Sequence, residues 1–205
     1  MLPFEFVVYQ KGVGGMEAVP DWTEAANFSL GDAAMEVLQD AARFEVVPLP
    51  QLDGATENLV REHVALFQTI GITGMTMVNA GPAWQGKKER FDYSVGDGLR
   101  FLAESVPADF ALVLVGSSVR QSGGAVFSQF LQGAMGFYSA GGGTWVMTGV
   151  FDLRTGEVKW LNSESGEQVL GMGGFDVRKP EVARKVVTKM FEIFPASTVA
   201  TFPPF

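Results

Sequence analysis

Cysteine is absent from this chain of 205 residues, and histidine occurs once, at His63. The lack of cysteine excludes thiol catalysis, thiolate metal sites and a disulfide framework. A single imidazole leaves little room for a metal cluster or for a proton relay built on histidine. A chain of this length nevertheless fits one domain of ordinary size, which can bury a core without disulfide or metal support.

Charged residues are also scarce, since they make up 19% of the chain against about 25% in a typical soluble domain. The 15 lysines and arginines are outnumbered by 23 aspartates and glutamates, so the net charge is −8. Binding to duplex nucleic acid needs clustered positive charge that neutralises phosphates. We therefore expect an acidic protein that binds no nucleic acid.

Apolar runs of membrane-spanning length are missing as well. No charged residue occurs from Gln121 to Phe151, but glycine, serine, threonine and glutamine interrupt this stretch well short of the ~20 apolar residues of a transmembrane helix. The first ten residues, MLPFEFVVYQ, lack the basic region, apolar region and cleavage site of a signal peptide. They predict the start of a mature protein, which is either cytoplasmic or has lost an export signal.

Apolar side chains at helical spacing predict four helices. The first is expected to begin at Ser29, whose hydroxyl would cap it, and the second to cover Glu57–Ile70 with Gly71 as its C-cap. A third is expected to begin at Ser94, and the last to cover Pro180–Phe194.

Short β-prone runs predict the first strands. Phe4–Tyr9 is followed by a flexible loop over residues 11–15, and Phe44, Val46 and Val47 form a second strand that ends at Pro48. The unit formed by these elements would be strand, helix, strand.

The second half of the chain has clearer strand patterns. The almost unbroken apolar run Asp109–Val115 predicts a central strand that is covered on both faces. Side chains alternate from Thr144 to Leu153, and a compact turn follows at residues 154–156, which predicts a β-hairpin over residues 144–163. These elements predict an α/β fold in which a single mixed β-sheet of about five strands has helices packed on it. We expect residues 1–205 to form one domain, with residues 120–143 as an insertion between the central strand and the hairpin.

No residue pattern identifies a catalytic or cofactor site. The glycine-rich segments lack the Lys-Ser/Thr ending of a nucleotide-binding loop and the complete spacing of a dinucleotide-binding turn. His63 is expected at the edge of its helix, and the pairs Asp92 with Asp97 and Asp152 with Glu157 are no more than chance neighbours among many acids. We therefore predict no catalytic residue, no cofactor, no metal ligand and no tightly bound nucleotide.

The insertion 120–143 is the most informative segment. Its apolar side chains recur at helical spacing between glycines, which predicts an amphipathic helix on two flexible tethers. An uncharged aromatic helix left exposed would be an unexplained apolar patch. The helix therefore either packs on its own sheet or forms an interaction surface for a second copy or a membrane-proximal partner. The candidate interaction residues are Phe127, Phe130, Leu131, Met135 and Tyr138.

Three segments resemble a known group of proteins. ARFEVVPL (42–49), VPADFALVLVG (106–116) and the hairpin GVFDLRTGEVKW (149–160) follow an N-terminal strand that ends in a glycine loop. They are similar to segments of Gram-negative envelope lipoproteins. That group includes the periplasmic domain of the curli secretion channel, the penicillin-binding-protein activator lipoproteins and related lipoproteins of unknown function. The resemblance covers residues 4–194.

The resemblance implies a non-enzymatic α/β protein that is periplasmic and associated with the outer membrane. It also implies an action through contacts with a partner protein or with a second copy. Members of the group are held at the membrane by a lipid anchor, whereas this sequence contains neither a signal peptide nor a lipid-carrying cysteine. No functional residue of the group is matched in this chain.

Two alternatives stay open. The first is a component of a secretion or pore complex whose insertion 120–143 contacts or enters the membrane, because charge-poor sequence rich in Gly, Ser, Thr and aromatics also suits membrane-inserted strands. The helical spacing of Phe127, Phe130 and Leu131 favours a helix over such strands. The second, more distant alternative is an enzyme of unrecognised type, which would need a cluster of perturbed acids in a cleft.

Overall fold

Six strands form one mixed β-sheet in the computed structural model, which describes residues 1–40, 45–79, 92–126, 142–169, 172–192 and 194. The order across the sheet is β2-β1-β3-β4-β5-β6, and β1 and β3 run parallel while the other neighbours run antiparallel. The strands are Glu5–Gly12 (β1), Gly15–Ala18 (β2), Phe110–Gln121 (β3), Gly142–Asp152 (β4), Val158–Val169 (β5) and Met172–Gly173 (β6).

Helices cover both faces of this sheet. Helices α1 and α4 pack together on one face, and α2 and α3 lie on the other. The predicted fold class, one mixed sheet of about five strands with helices packed on it, is therefore confirmed. Besides a first helical turn at residues 123–126, the helices within the described residues are Pro20–Asp40 (α1), Gly54–Asn79 (α2), Arg100–Ser105 (α3) and Pro180–Phe191 (α4).

The central position of β3 is also confirmed, because this strand pairs with β1 on one side and β4 on the other. Val113 and Val115 are buried under α2 and α3, whereas Leu114 is buried under α1 and α4. Alternate residues of a strand point to opposite faces, so a strand covered on both faces needs an unbroken apolar run.

The predicted hairpin is the antiparallel pair β4–β5, and its turn contains Gly156 with a φ of 69°. Met147 and Phe151 of β4 pack towards α2, while Val146 points to the α1 side. The period of two in the sequence therefore assigned these side chains to the correct faces. Both β3 and β4 extend beyond their predicted ends, so residues 120–121 and 142–143 belong to strands and not to an insertion.

The predicted start of the first helix at Ser29 is wrong, because α1 begins at Pro20. Proline is favoured in the first turn, where its missing N–H would have no helical partner, and Asp21 beside it suits the positive helix end. Ser29 is instead buried, and its hydroxyl donates a hydrogen bond of 3.1 Å to the carbonyl of Arg178. It joins α1 to the segment before α4.

The predicted strand near Val46 and Val47 does not form, and Phe44 lies outside the described residues. β1 pairs with β3 only from Val115 onward, and among the described residues Leu2, rather than Val46 or Val47, bonds to the earlier part of β3 on that side. The carbonyl of Val47 accepts a hydrogen bond of 2.6 Å from the Met1 ammonium group. The next amide, that of Leu2, donates a hydrogen bond of 3.0 Å to the carbonyl of Leu112.

Three further helix ends differ from prediction. Helix α4 ends at Phe191, three residues before the predicted end at Phe194. Gly71 is no C-cap, since α2 continues through it to Asn79. A side chain at this position would collide with Met147, so glycine allows the helix to approach β4 closely. Ser94 does not start a helix either: it forms a bridge to Glu157 and donates to the Thr155 carbonyl at 3.0 Å, while α3 begins at Arg100.

The loop predicted over residues 11–15 is a tight turn between two strands. β1 continues to Gly12, Val13 and Gly14 form the turn, and β2 begins at Gly15. All four residues of β2 are exposed, so β2 has no alternating apolar pattern that the sequence could show.

Candidate interaction surface

The five candidate residues predicted from the insertion lie outside the described residues, which stop at 126 and resume at 142. Their helical spacing and their packing therefore stay predictions. The structure does describe where the segment leaves the sheet and where it returns.

The segment leaves β3 as the first turn of a helix over residues 123–126. The Ser122 hydroxyl accepts a hydrogen bond of 3.2 Å from the Ala125 amide, and its carbonyl accepts one of 3.0 Å from Val126. This is an N-cap arrangement. The predicted flexible tether at Gly123 and Gly124 is therefore wrong, because both glycines belong to this capped turn. The predicted second tether is wrong at residues 142–143, which belong to β4.

The turn between β1 and β2 lies beside this helix start. Val13 and Met16 are 78% and 63% exposed. A Cβ at Gly124 would lie 3.4 Å from Val13 Cγ2, so the hairpin and the capped turn are in contact. We call Val13, Met16, Glu17 and Gly124 the hairpin surface. It is the described neighbour of the predicted interaction helix.

Side chains of α1 close the adjoining edge of β1. Asn27 Oδ1 accepts a hydrogen bond of 3.1 Å from the amide of Phe6, and Asn27 Nδ2 donates one of 2.9 Å to the carbonyl of Phe6. Thr23 Oγ1 accepts a hydrogen bond of 3.0 Å from the amide of Val8, whose carbonyl accepts from Val19 at 2.9 Å. A helix thus supplies the hydrogen bonds that a further strand would make.

The edge of β5 is closed in part by a similar device. Asn162 Oδ1 accepts a hydrogen bond of 2.8 Å from the amide of Ser163, and Asn162 Nδ2 donates one of 2.7 Å to the Met190 carbonyl at the end of α4. β2 differs, because no described side chain or strand bonds to its outer side. An open edge is a template for pairing with another strand.

A half-buried cluster of Arg120, Asp176, Arg178 and Trp22 is a feature that the sequence prediction missed. Arg178 donates two hydrogen bonds to the Asp176 carboxylate, at 2.7 and 2.9 Å, and its guanidinium lies 4.4 Å from the centre of the Trp22 ring. Arg120 Nη2 lies 3.9 Å from the same carboxylate. Arg120 and Asp176 are far apart in sequence, so no local pattern signals their contact.

The charges of this cluster define what it can do. The hydrogen bonds from Arg178 lower the pKa of Asp176, and the bonds to Asp176 raise the pKa of Arg178. Burial lowers the pKa of Arg120. A carboxyl with a lowered pKa is a poor proton donor near neutral pH, so the cluster fastens the segment before α4 to β3 and α1 rather than offering an acid.

His63 and the carboxylate pair of the hairpin also have structural partners. His63 Nδ1 lies 2.8 Å from the Leu59 carbonyl, and its ring packs on the backbone of Gly98. Asp152 Oδ1 accepts hydrogen bonds of 2.8 and 3.0 Å from the backbone amides of Arg154 and Thr155, and these bonds stabilise the β4–β5 turn. Glu157, the other member of the pair, bonds to Lys159 Nζ at 2.6 Å.

Neither a metal site nor a membrane helix is found in the part of the chain that the structure describes. There, no group of three or more His, Cys, Asp or Glu side chains is placed to hold a metal ion. No described helix is both long and apolar enough to cross a bilayer.

Comparison with known proteins finds no match to this chain among family models, curated proteins or solved structures.

Proposed function

We propose that this protein is a non-catalytic module that acts through protein contacts, and that the hairpin surface is part of its contact area. The observation that carries the proposal is the placement of exposed Val13 against the first turn of the aromatic insertion, with exposed Met16 on the same β1–β2 hairpin. Exposed apolar side chains grouped at one place, next to an open sheet edge, are typical of a protein-binding surface.

The absence of catalysis is part of the proposal and is supported by the roles of the titratable side chains. His63, Asp152 and Asp176 each have a hydrogen-bond partner that explains their position by packing or turn formation. The periplasmic, outer-membrane setting is also part of the proposal, and its support is the sequence resemblance described above.

Site-specific photo-crosslinking tests the contact area. A benzophenone amino acid replaces Val13 or Met16 in turn, and Phe28 serves as the matched control, because it is 74% exposed on α1. We expect discrete crosslinked products from positions 13 and 16, whose masses identify a partner or a second copy, and none of these from position 28. Equal products from all three positions, or none from any, would contradict the proposal.

The insertion needs a separate test, because its candidate residues lie outside the described structure. Phe130→Asp places a charge on the predicted apolar face. Loss of association with an unchanged melting temperature would support an intermolecular surface. A lowered melting temperature would instead show that the face packs on its own sheet, because a buried unpaired charge is costly. If melting, molecular mass and membrane association all stay unchanged, both interpretations of the insertion are wrong.

A further inference from the structure

We propose that β2 pairs antiparallel with β2 of a second copy of this chain, so that two sheets join across a two-fold axis at Met16. This inference rests on the proposed function and names the occupant of the hairpin surface. Its starting point is a contrast along one side of the sheet. Thr23 and Asn27 bond to β1 beyond the end of β2, whereas the outer side of β2 is left open among the described residues.

The backbone pattern fixes which groups of β2 face outward. Phe6 and Val8 present their N–H and C=O groups to the edge side of β1, so Gln10 and Gly12 do the same by alternation. Gln10 pairs with Glu17, and Gly12 pairs with Gly15. Glu17 and Gly15 therefore bond inward to β1. The intervening Met16 and Ala18 present their N–H and C=O groups to the open side.

This pattern restricts how two copies can pair. Residues directly opposite each other in an antiparallel pair share the same hydrogen-bonding direction and the same face of the sheet. Neighbouring residues such as Met16 and Glu17 bond in opposite directions, so they cannot lie opposite each other in a dimer of two β2 strands. The two-fold axis must therefore pass through one residue and not between two residues.

Charge and side-chain chemistry then decide whether the two-fold axis passes through Met16 or through Glu17, the two middle residues of β2. An axis at Glu17 would place two carboxylates opposite each other, which is destabilising. An axis at Met16 pairs the two thioether side chains, lets the Met16 residues exchange two backbone hydrogen bonds, and places each Glu17 opposite Gly15 of the second copy. The geometry thus favours Met16.

The size of the contact predicts a weak dimer. A strand of four residues and two exposed apolar side chains per copy offer far less than the roughly 1,200 Å² of total surface that a stable interface buries. The net charge of −8 on each copy opposes association as well. Dimerisation is therefore expected to depend on protein concentration and to strengthen with salt.

Single cysteines test the register, because the chain has none of its own. In the proposed dimer the two Met16 Cα atoms are about 5.5 Å apart, which a disulfide can span. Met16→Cys should give a disulfide-linked dimer under mild oxidation, severalfold more than Glu17→Cys or Phe28→Cys. The two Glu17 residues lie one residue to either side of the axis and so are diagonal to each other. Their Cα atoms are therefore too far apart for a disulfide. Equal yields from all three variants, or more from Glu17→Cys, would overturn the register and with it the proposal.

Sedimentation of the cysteine-free protein gives the second measurement. The mass of the unmodified chain should rise above 22.1 kDa with concentration, and Met16→Lys should abolish that rise by setting two ammonium groups opposite each other. Met16→Lys also reduces the net negative charge, so long-range repulsion cannot explain a loss of association. Association that survives Met16→Lys, or no association by the unmodified chain, would overturn the dimer. Discrete crosslinks from position 16 to a different protein would then still support the proposed function.

Discussion

Replacing Asn27 by alanine tests whether α1 closes the edge of β1. The Asn27 carboxamide makes three hydrogen bonds: one to the Phe6 amide, one to the Phe6 carbonyl and one to the Thr23 carbonyl. Each such bond contributes about 1 kcal/mol net, and more where a partner is left without water. Alanine recovers up to about 0.7 kcal/mol through its higher helix propensity. We therefore expect Asn27→Ala to lower the free energy of unfolding by about 2 kcal/mol.

Urea denaturation followed by circular dichroism measures this loss, and Gln39→Ala is the matched control. Gln39 carries the same amide group on the same helix but is exposed, so its replacement should change stability by no more than about 0.5 kcal/mol. Asn27→Ala should also raise aggregation, because it opens Phe6 on the edge of β1. If the two variants lose equal stability, the Asn27 bonds do not hold the helix to the strand, and the account of the closed edge is wrong.

Three further predictions concern the core, the hairpin turn and the ionic cluster. Leu114 is 1% exposed, so Leu114→Ala should cost roughly 2–5 kcal/mol in a urea titration, and the half-buried Leu112→Ala should cost less; equal losses would contradict the burial assigned to β3. Gly156 has a positive φ, and a Cβ added there by Gly156→Ala would collide with the backbone of Gly96 in the loop before α3. The melting temperature of Gly156→Ala should therefore fall well below that of Gly14→Ala, where the added Cβ meets nothing. Equal melting temperatures of the two variants would refute this. The folded state lowers the pKa of Asp176, so its stabilising contribution is present above the unfolded pKa and is lost as the pH falls below about 4. Asp176→Asn should flatten that part of the stability profile, and an unchanged acid slope would show that other carboxyls produce it.

The elements that sequence patterns predicted correctly are those whose pattern reflects burial. β3, β4 and α4 carry apolar residues at the period of a covered strand or an amphipathic helix, and burial is what produces such a pattern. β2 has no buried face, so it left no pattern, although the glycines on either side of Val13 and Gly14 were a signal for a tight turn. Val46 and Val47 show the converse error. Their β propensity is high, but the Val47 carbonyl bonds to the Met1 ammonium group and not to a neighbouring strand.

The candidate site was less predictable than the fold, for a related reason. The insertion was singled out by its composition, but the neighbour of its described first turn, at Gly124, is the β1–β2 turn, which lies far from it in sequence. Contacts of this kind depend on strand order, and strand order does not follow from local patterns. The same holds for Asp176 and Arg120, which come together because the segment before α4 returns across the end of β3.

The two-fold contact proposed at β2 explains why this open edge need not lead to fibres. A sheet with two open edges can add copies at both sides without limit, whereas a two-fold contact at one edge closes on itself as a dimer. Thr23 and Asn27 take the backbone groups of β1 beyond the end of β2. On this side of the sheet, the open stretch is thereby confined to the outward groups of Met16 and Ala18. Because α1 begins at Pro20, directly after β2, the start of this helix sets the length of the open edge and so limits how strongly any strand can bind there.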